Sequence, residues 1–100
     1  MTKEIIETTR EREDEKGLYT KLFFDERINI QNNKFHQIDV SSKKIKVKDK
    51  EVYETMTFGV LGKNKDVIID SYVTRTTCED EMISNHWVMV SEIKNVYFNQ

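Results

Sequence analysis

The chain has 100 residues, 37% of them hydrophobic and 34% charged, with a formal net charge of −2. That length supports one domain, residues 1–100, around a single modest core. The mixture is too apolar for a disordered chain, and no window reaches the run of about 18 apolar residues that a spanning helix requires. Residues Met1 to Glu4 run straight into Glu7, Glu11, Glu13, Asp14 and Glu15, which leaves no apolar core for a secretory signal. The expected compartment is the cytoplasm, with no membrane partner. Cys78 is the only cysteine, so an internal disulfide is excluded and folding rests on side-chain burial.

Within the apolar set the choice of residue points to sheet. Ten Ile, nine Val and nine Thr stand against three Leu and no Ala, and β-branched side chains favour the pleated backbone. The abundance of Ile, Lys and Asn also fits an AT-rich coding sequence, such as that of a bacterium or its phage.

In chain order, the charged segment 1–17 is first. It reads either as an exposed helix anchored by Ile5 and Ile6 or as a first strand over residues 4–12, turning at Asp14-Glu15-Lys16-Gly17 to pair with 18–24. From Leu18 the period is two: Leu18, Thr20, Leu22 and Phe24 share one face, and Tyr19, Lys21 and Phe23 the other. Both faces carry aromatics, which suits a central strand. Ile28 and Ile30 alternate, Gln31-Asn32-Asn33-Lys34 forms a polar turn, and His36, Ile38 and Val40 continue the alternation. Residues 43–58 read as a hairpin bending at Asp49-Lys50, with Ile45 and Val47 on one face and Lys44, Lys46 and Lys48 on the other. Gly59 and Gly62 read as turn punctuation. The run 67–77 is long enough to bend across a barrel. Residues 78–85 form an acidic loop or one helical turn, 86–90 resume a strand, and Ser91 is a plausible N-cap for a last short helical turn or strand. The expected architecture is mainly β, a small antiparallel barrel or two-layer sandwich of about six to eight strands.

The candidate sites are surfaces. His86, Trp87, Tyr97 and Phe98 are aromatic groups of the kind that anchor protein interfaces, and Glu79, Asp80 and Glu81 form an acidic neighbour suited to a basic partner. Lys43, Lys44, Lys46, Lys48 and Lys50 make a ribbon that either tracks a phosphate backbone or keeps a sheet edge from joining another. Gly59-Val60-Leu61-Gly62 lacks the flanking helices and polar centre of an RNA-clamping loop. Cys78, His86 and His36 are the conceivable soft-metal ligands, but the seven-residue gap between Cys78 and His86 matches no common zinc module. No nucleophile elbow, metalloprotease helix or dinucleotide fingerprint is present. The sequence therefore leads to a non-enzymatic protein-interaction or regulatory domain, without cofactor or metal and with self-association open. The alternatives are a nucleic-acid-binding barrel that uses the lysine ribbon and a carrier that holds an apolar ligand inside a barrel.

Overall fold

A computed structural model describes residues 3–13 and 16–100. Five strands and one helix follow in order: β1 (Ile5–Glu11), β2 (Gly17–Ile30), β3 (Asn33–Val47), β4 (Lys50–Gly62), β5 (Lys65–Thr76) and α1 (Glu79–Phe98). The strands form one antiparallel sheet in the order β1-β2-β3-β4-β5. Each strand pairs with its sequence neighbour, so short turns suffice and no crossover is required. The charged N-terminal segment is thus the first hairpin strand, with Ile5 opposite Phe24 and Glu11 opposite Leu18. The tip of its turn, at 14–15, lies outside the described residues.

Three further turns complete the meander. Gln31 and Asn32 both have positive φ, as do Lys48 and Asp49. Two consecutive left-handed residues give a turn whose twist matches that of the flanking strands. The second bend therefore sits one residue earlier than the expected Asp49-Lys50. Asn64 is the left-handed residue of the third turn. Gly59 is no turn residue. It lies inside β4 opposite Ile38, and a Cβ there would run into the Phe35 ring; its lack of a side chain makes room for an aromatic.

The sheet is open, with five strands among the described residues where six to eight were expected. One expected strand is missing because residues 86–90 are helical: α1 runs unbroken for 20 residues. Met82, His86, Met89, Val90, Ile93 and Tyr97 are its buried residues, spaced three and four apart as one helical face demands. Trp87 and Val88 are exposed, and as apolar residues off that face they give 86–90 the appearance of a strand. Ser91 is an exposed mid-helix residue, not an N-cap. The helix begins after Cys78, which makes no side-chain cap. Thr76 braces the entry to the helix, accepting from the Cys78 N–H at 3.2 Å and donating to the Glu81 carboxylate at 2.5 Å.

The helix covers one face of the sheet. Leu22, Phe24, Ile28, Phe35, Ile38 and Val40 from β2 and β3 pack with Met89, Val90, Ile93 and Tyr97 from α1. Ile69 of β5 joins them, and so does Tyr72, at the edge of the cluster. Strict alternation would put Ile69 and Tyr72 on opposite faces. The register shift between Met56 and Phe58 inserts extra β5 residues there and turns both inward.

The molecule measures 48 × 23 × 23 Å, whereas a 20-residue helix spans only about 30 Å. Consequently the sheet outruns its cover. Pairing with β2 stops at Gly17–Lys43 and pairing with β5 stops at Tyr53–Thr76. Residues 44–52 therefore project as a two-stranded arm.

Candidate functional site

The helix-covered face is polar at its centre. His86 is fully buried. Its Nε2 lies 2.7 Å from Thr20 Oγ1 and its Nδ1 2.7 Å from Ser42 Oγ. Thr20 continues to Thr9 at 2.9 Å and Ser42 to Thr55 at 2.8 Å. One chain of hydrogen bonds thus crosses β1, β2, α1, β3 and β4. A neutral imidazole has one donor and one acceptor, so either tautomer satisfies the chain by turning every hydroxyl the same way. Burial, reinforced by the nearby Arg12 cation, lowers the His86 pKa to about 4. With Ser42 and Thr20 sealed from solvent, this arrangement holds the helix on the sheet and offers no substrate access.

The opposite face has no cover among the described residues. The register defines its rows: Ile6, Phe23, Gln37, Val60 and Asp66; then Thr8, Lys21, Asp39, Phe58 and Ile68; then Arg10, Tyr19, Ser41, Met56 and Val73; and finally Lys43, Glu54 and Arg75. Ile6 is 67% exposed and Ile68 44%, and Phe23 and Val73 are exposed as well. Met56, Phe58, Val60, Ile68 and Val73 form an apolar band on β4 and β5, separated from Ile6 and Phe23 by the polar β3 column of Gln37, Asp39, Ser41 and Lys43, and such a band on an open sheet face is unusual for a lone soluble domain.

Polar groups at the centre of this face are ordered. Tyr19 donates to Asp39 Oδ2 at 2.6 Å, and Gln37 donates to Oδ1 at 2.9 Å. Burial, together with the Asp39 carboxylate, raises the Tyr19 pKa far above its ordinary value and keeps the phenol protonated. The guanidinium groups of Arg10 and Arg12 lie 5.1 and 5.3 Å from the centre of the Tyr19 ring, within cation–π range. Arg12 also donates from Nε to the Ser42 carbonyl at 3.1 Å and from a terminal nitrogen to Ser41 Oγ. Beyond Ser41, Arg75 donates to the largely buried Glu54 at 2.9 Å. Two clefts flank Tyr19. One, of about 350 Å³, is lined by Thr8, Arg10, Lys21 and Phe23; the other, of about 220 Å³, by Arg12, Ser41, Lys43, Glu54, Met56 and Phe58.

The residues singled out in the sequence are dispersed. His86 is spent inside the hydrogen-bond chain, and Tyr97 is buried against Phe24 at 4.8 Å between ring centres. Trp87, 39% exposed, and the exposed Phe98 lie far apart on α1. Glu79, Asp80 and Glu81 are the solvent-facing first turn of that helix, where acidic groups favour the positive end of the dipole. The lysine ribbon falls on the projecting arm except for Lys43, which still pairs with Gly17 of β2. Lys44 pairs with Glu51 at 2.7 Å, Lys48 occupies the turn, and Lys43 sits on the face opposite Lys44. His36 Nδ1 lies 3.2 Å from the Phe24 carbonyl, and among the described residues no three His, Cys, Asp or Glu side chains converge on a metal position. No described helix is long and apolar enough to cross a membrane. An apolar ligand has no barrel interior to occupy, because the sheet is open and α1 fills its covered side.

Sequence reasoning identified Tyr19, Lys21 and Phe23 as one face of β2 but had no means of knowing which face the helix would leave bare. No family model, no curated protein and no solved structure matches the chain.

Proposed function

We propose that this protein is a non-enzymatic interaction module that binds another protein through the uncovered face of its sheet. The observation that carries this reading is the apolar band of Phe58, Ile68 and Val73 on β4 and β5, with Ile6 and Phe23 on the other side of the ordered Tyr19–Asp39 centre, on the face away from α1. Burying such a band against a partner supplies the hydrophobic term of association, and the fixed polar centre sets the register. Ser42 and His86 resemble a nucleophile and base in distance alone, since both are sealed beneath the helix.

The test is capture of a partner from nuclease-treated lysate of the native host by the wild-type chain, by Phe23→Asp and Ile68→Asp, and by Phe98→Asp on the helix. Circular dichroism confirms that each variant folds. Loss of the partner with the two sheet-face variants, and retention with Phe98→Asp, is the expected result. Retention by the sheet-face variants, or capture that disappears with nuclease, overturns the proposal.

A further inference from the structure

Cations gather at one corner of the open face. Arg10, Arg12, Lys21 and Lys43 surround Tyr19 across β1, the residues that follow it, β2 and β3. Among the described residues none of the four belongs to an ion pair, whereas Lys16, Lys44, Arg75 and Lys94 each have a carboxylate partner. The carboxylates nearest the corner are already engaged: Asp39 by Tyr19 and Gln37, Glu54 by Arg75. Among the described residues the corner therefore carries net positive charge in a chain whose total is −2, and Met56 and Phe58 of the apolar band line its cleft.

Building on the interaction reading above, we propose that this corner recognises an acidic side chain on an extended segment of the partner protein, whose alternate apolar side chains lie on the neighbouring band. The spacing supports an extended ligand. Successive rows of the face are two residues apart along each strand, about 6.6 Å, which equals the separation of same-side residues in an extended chain. A segment running along β4 thus places a carboxylate in the cleft of Arg12, Ser41, Lys43 and Met56, and its next same-side residues over Phe58 and then over Val60. Arg12, held by Ser41 and the Ser42 carbonyl and stacked near Tyr19, presents its remaining N–H groups without further ordering, the condition under which an arginine–carboxylate contact is strongest. Nucleic acid fits less well. The aliphatic side chains of Ile68 and Val73 beside the corner suit apolar peptide side chains better than bases, and binding to the stacking surfaces of Tyr19 and Phe23 is what an oligonucleotide control tests.

The probe is a short peptide carrying glutamate, leucine and leucine at successive alternate positions, with serine between and around them so that all three share one side of an extended chain, titrated into the full chain while the backbone amides are followed by NMR. The same peptide with lysine for glutamate and a short oligothymidylate are compared with it. Saturable shifts centred on Tyr19, Ser41 and Lys43 are expected for the glutamate peptide alone. Arg10→Glu combined with Lys43→Glu weakens them by about tenfold or more, whereas Lys46→Glu on the projecting arm leaves them unchanged. Equal binding of the lysine peptide, tighter binding of oligothymidylate at the same amides, or indifference to the double variant overturns the inference. If the double variant still captures the native partner while Phe23→Asp does not, the interaction reading stands and only the acidic specificity fails.

Discussion

His86 Nδ1 lies 2.7 Å from Ser42 Oγ, joining the middle of the helix to the middle strand of the sheet across 44 residues of chain. Because the ring's other nitrogen is engaged by Thr20, the imidazole acts as the polar centre of an otherwise apolar interface. Its charge state therefore governs how firmly α1 is seated.

Acid should weaken the fold through this ring. The His86 pKa is about 4 in the folded chain, against 6.5 for an unperturbed imidazole. Between those values the unfolded chain binds the proton that the folded chain refuses, so stability is fully present above about pH 6.5 and is lost as pH falls toward 4. A shift of this size corresponds to roughly 3 kcal/mol. Urea unfolding at pH 7 and pH 4.5 measures the loss, and His86→Gln should remove most of the slope in this window. An equal slope in that variant would assign the effect to other groups.

Ser42→Ala should cost about 1–3 kcal/mol, because it leaves His86 Nδ1 and Thr55 Oγ1 buried with a missing partner. Chemical denaturation gives the number directly. A loss below a few tenths of a kcal/mol would show that these bonds contribute no net stability.

Lys3 closes the helix from the far end of the chain. Its Nζ donates to the Tyr97 carbonyl at 2.8 Å and to the Gln100 carbonyl at 2.5 Å, while the last turn of α1 contains no basic residue of its own. A cation there offsets the negative end of the helix dipole. Lys3→Met should destabilise by about 0.5–1 kcal/mol and speed amide exchange at residues 97–100, with the difference shrinking in high salt.

Gly59→Ala forces a Cβ into the Phe35 ring, an overpacking expected to cost about 1–3 kcal/mol. Gly59→Ala combined with Phe35→Leu should cost less than the sum of the two single changes. Strict additivity in that double-mutant cycle would refute the steric account.

Tyr97 provides a contrast. Its hydroxyl is buried without a hydrogen-bond partner, so Tyr97→Phe removes a desolvated polar atom and keeps the ring against Phe24. Stability should stay level or rise by up to about 1 kcal/mol, as read from the melting temperature.

The sequence by itself determined that the chain is mainly β and where most of its strands and turns run, while it left the strand order and the conformation of residues 1–17 open. The period of two in Leu18–Phe24 and Ile45–Phe58 and the polar pairs at Gln31-Asn32 and near Asp49 are local signals, carried by residues close to one another along the chain. The helix was obscured because its buried face includes His86, which reads as polar, while Trp87 and Val88, off that face, read as apolar. Only the tertiary structure decided that His86 belongs inside, since the hydroxyls that satisfy it come from Thr20 and Ser42, 66 and 44 residues away. It also decided which face of the sheet lies bare. Both faces of β2 carry aromatics, so alternation alone assigns them no inside and outside, and the docking of α1 onto Leu22 and Phe24 is what left Tyr19, Lys21 and Phe23 on the face without cover.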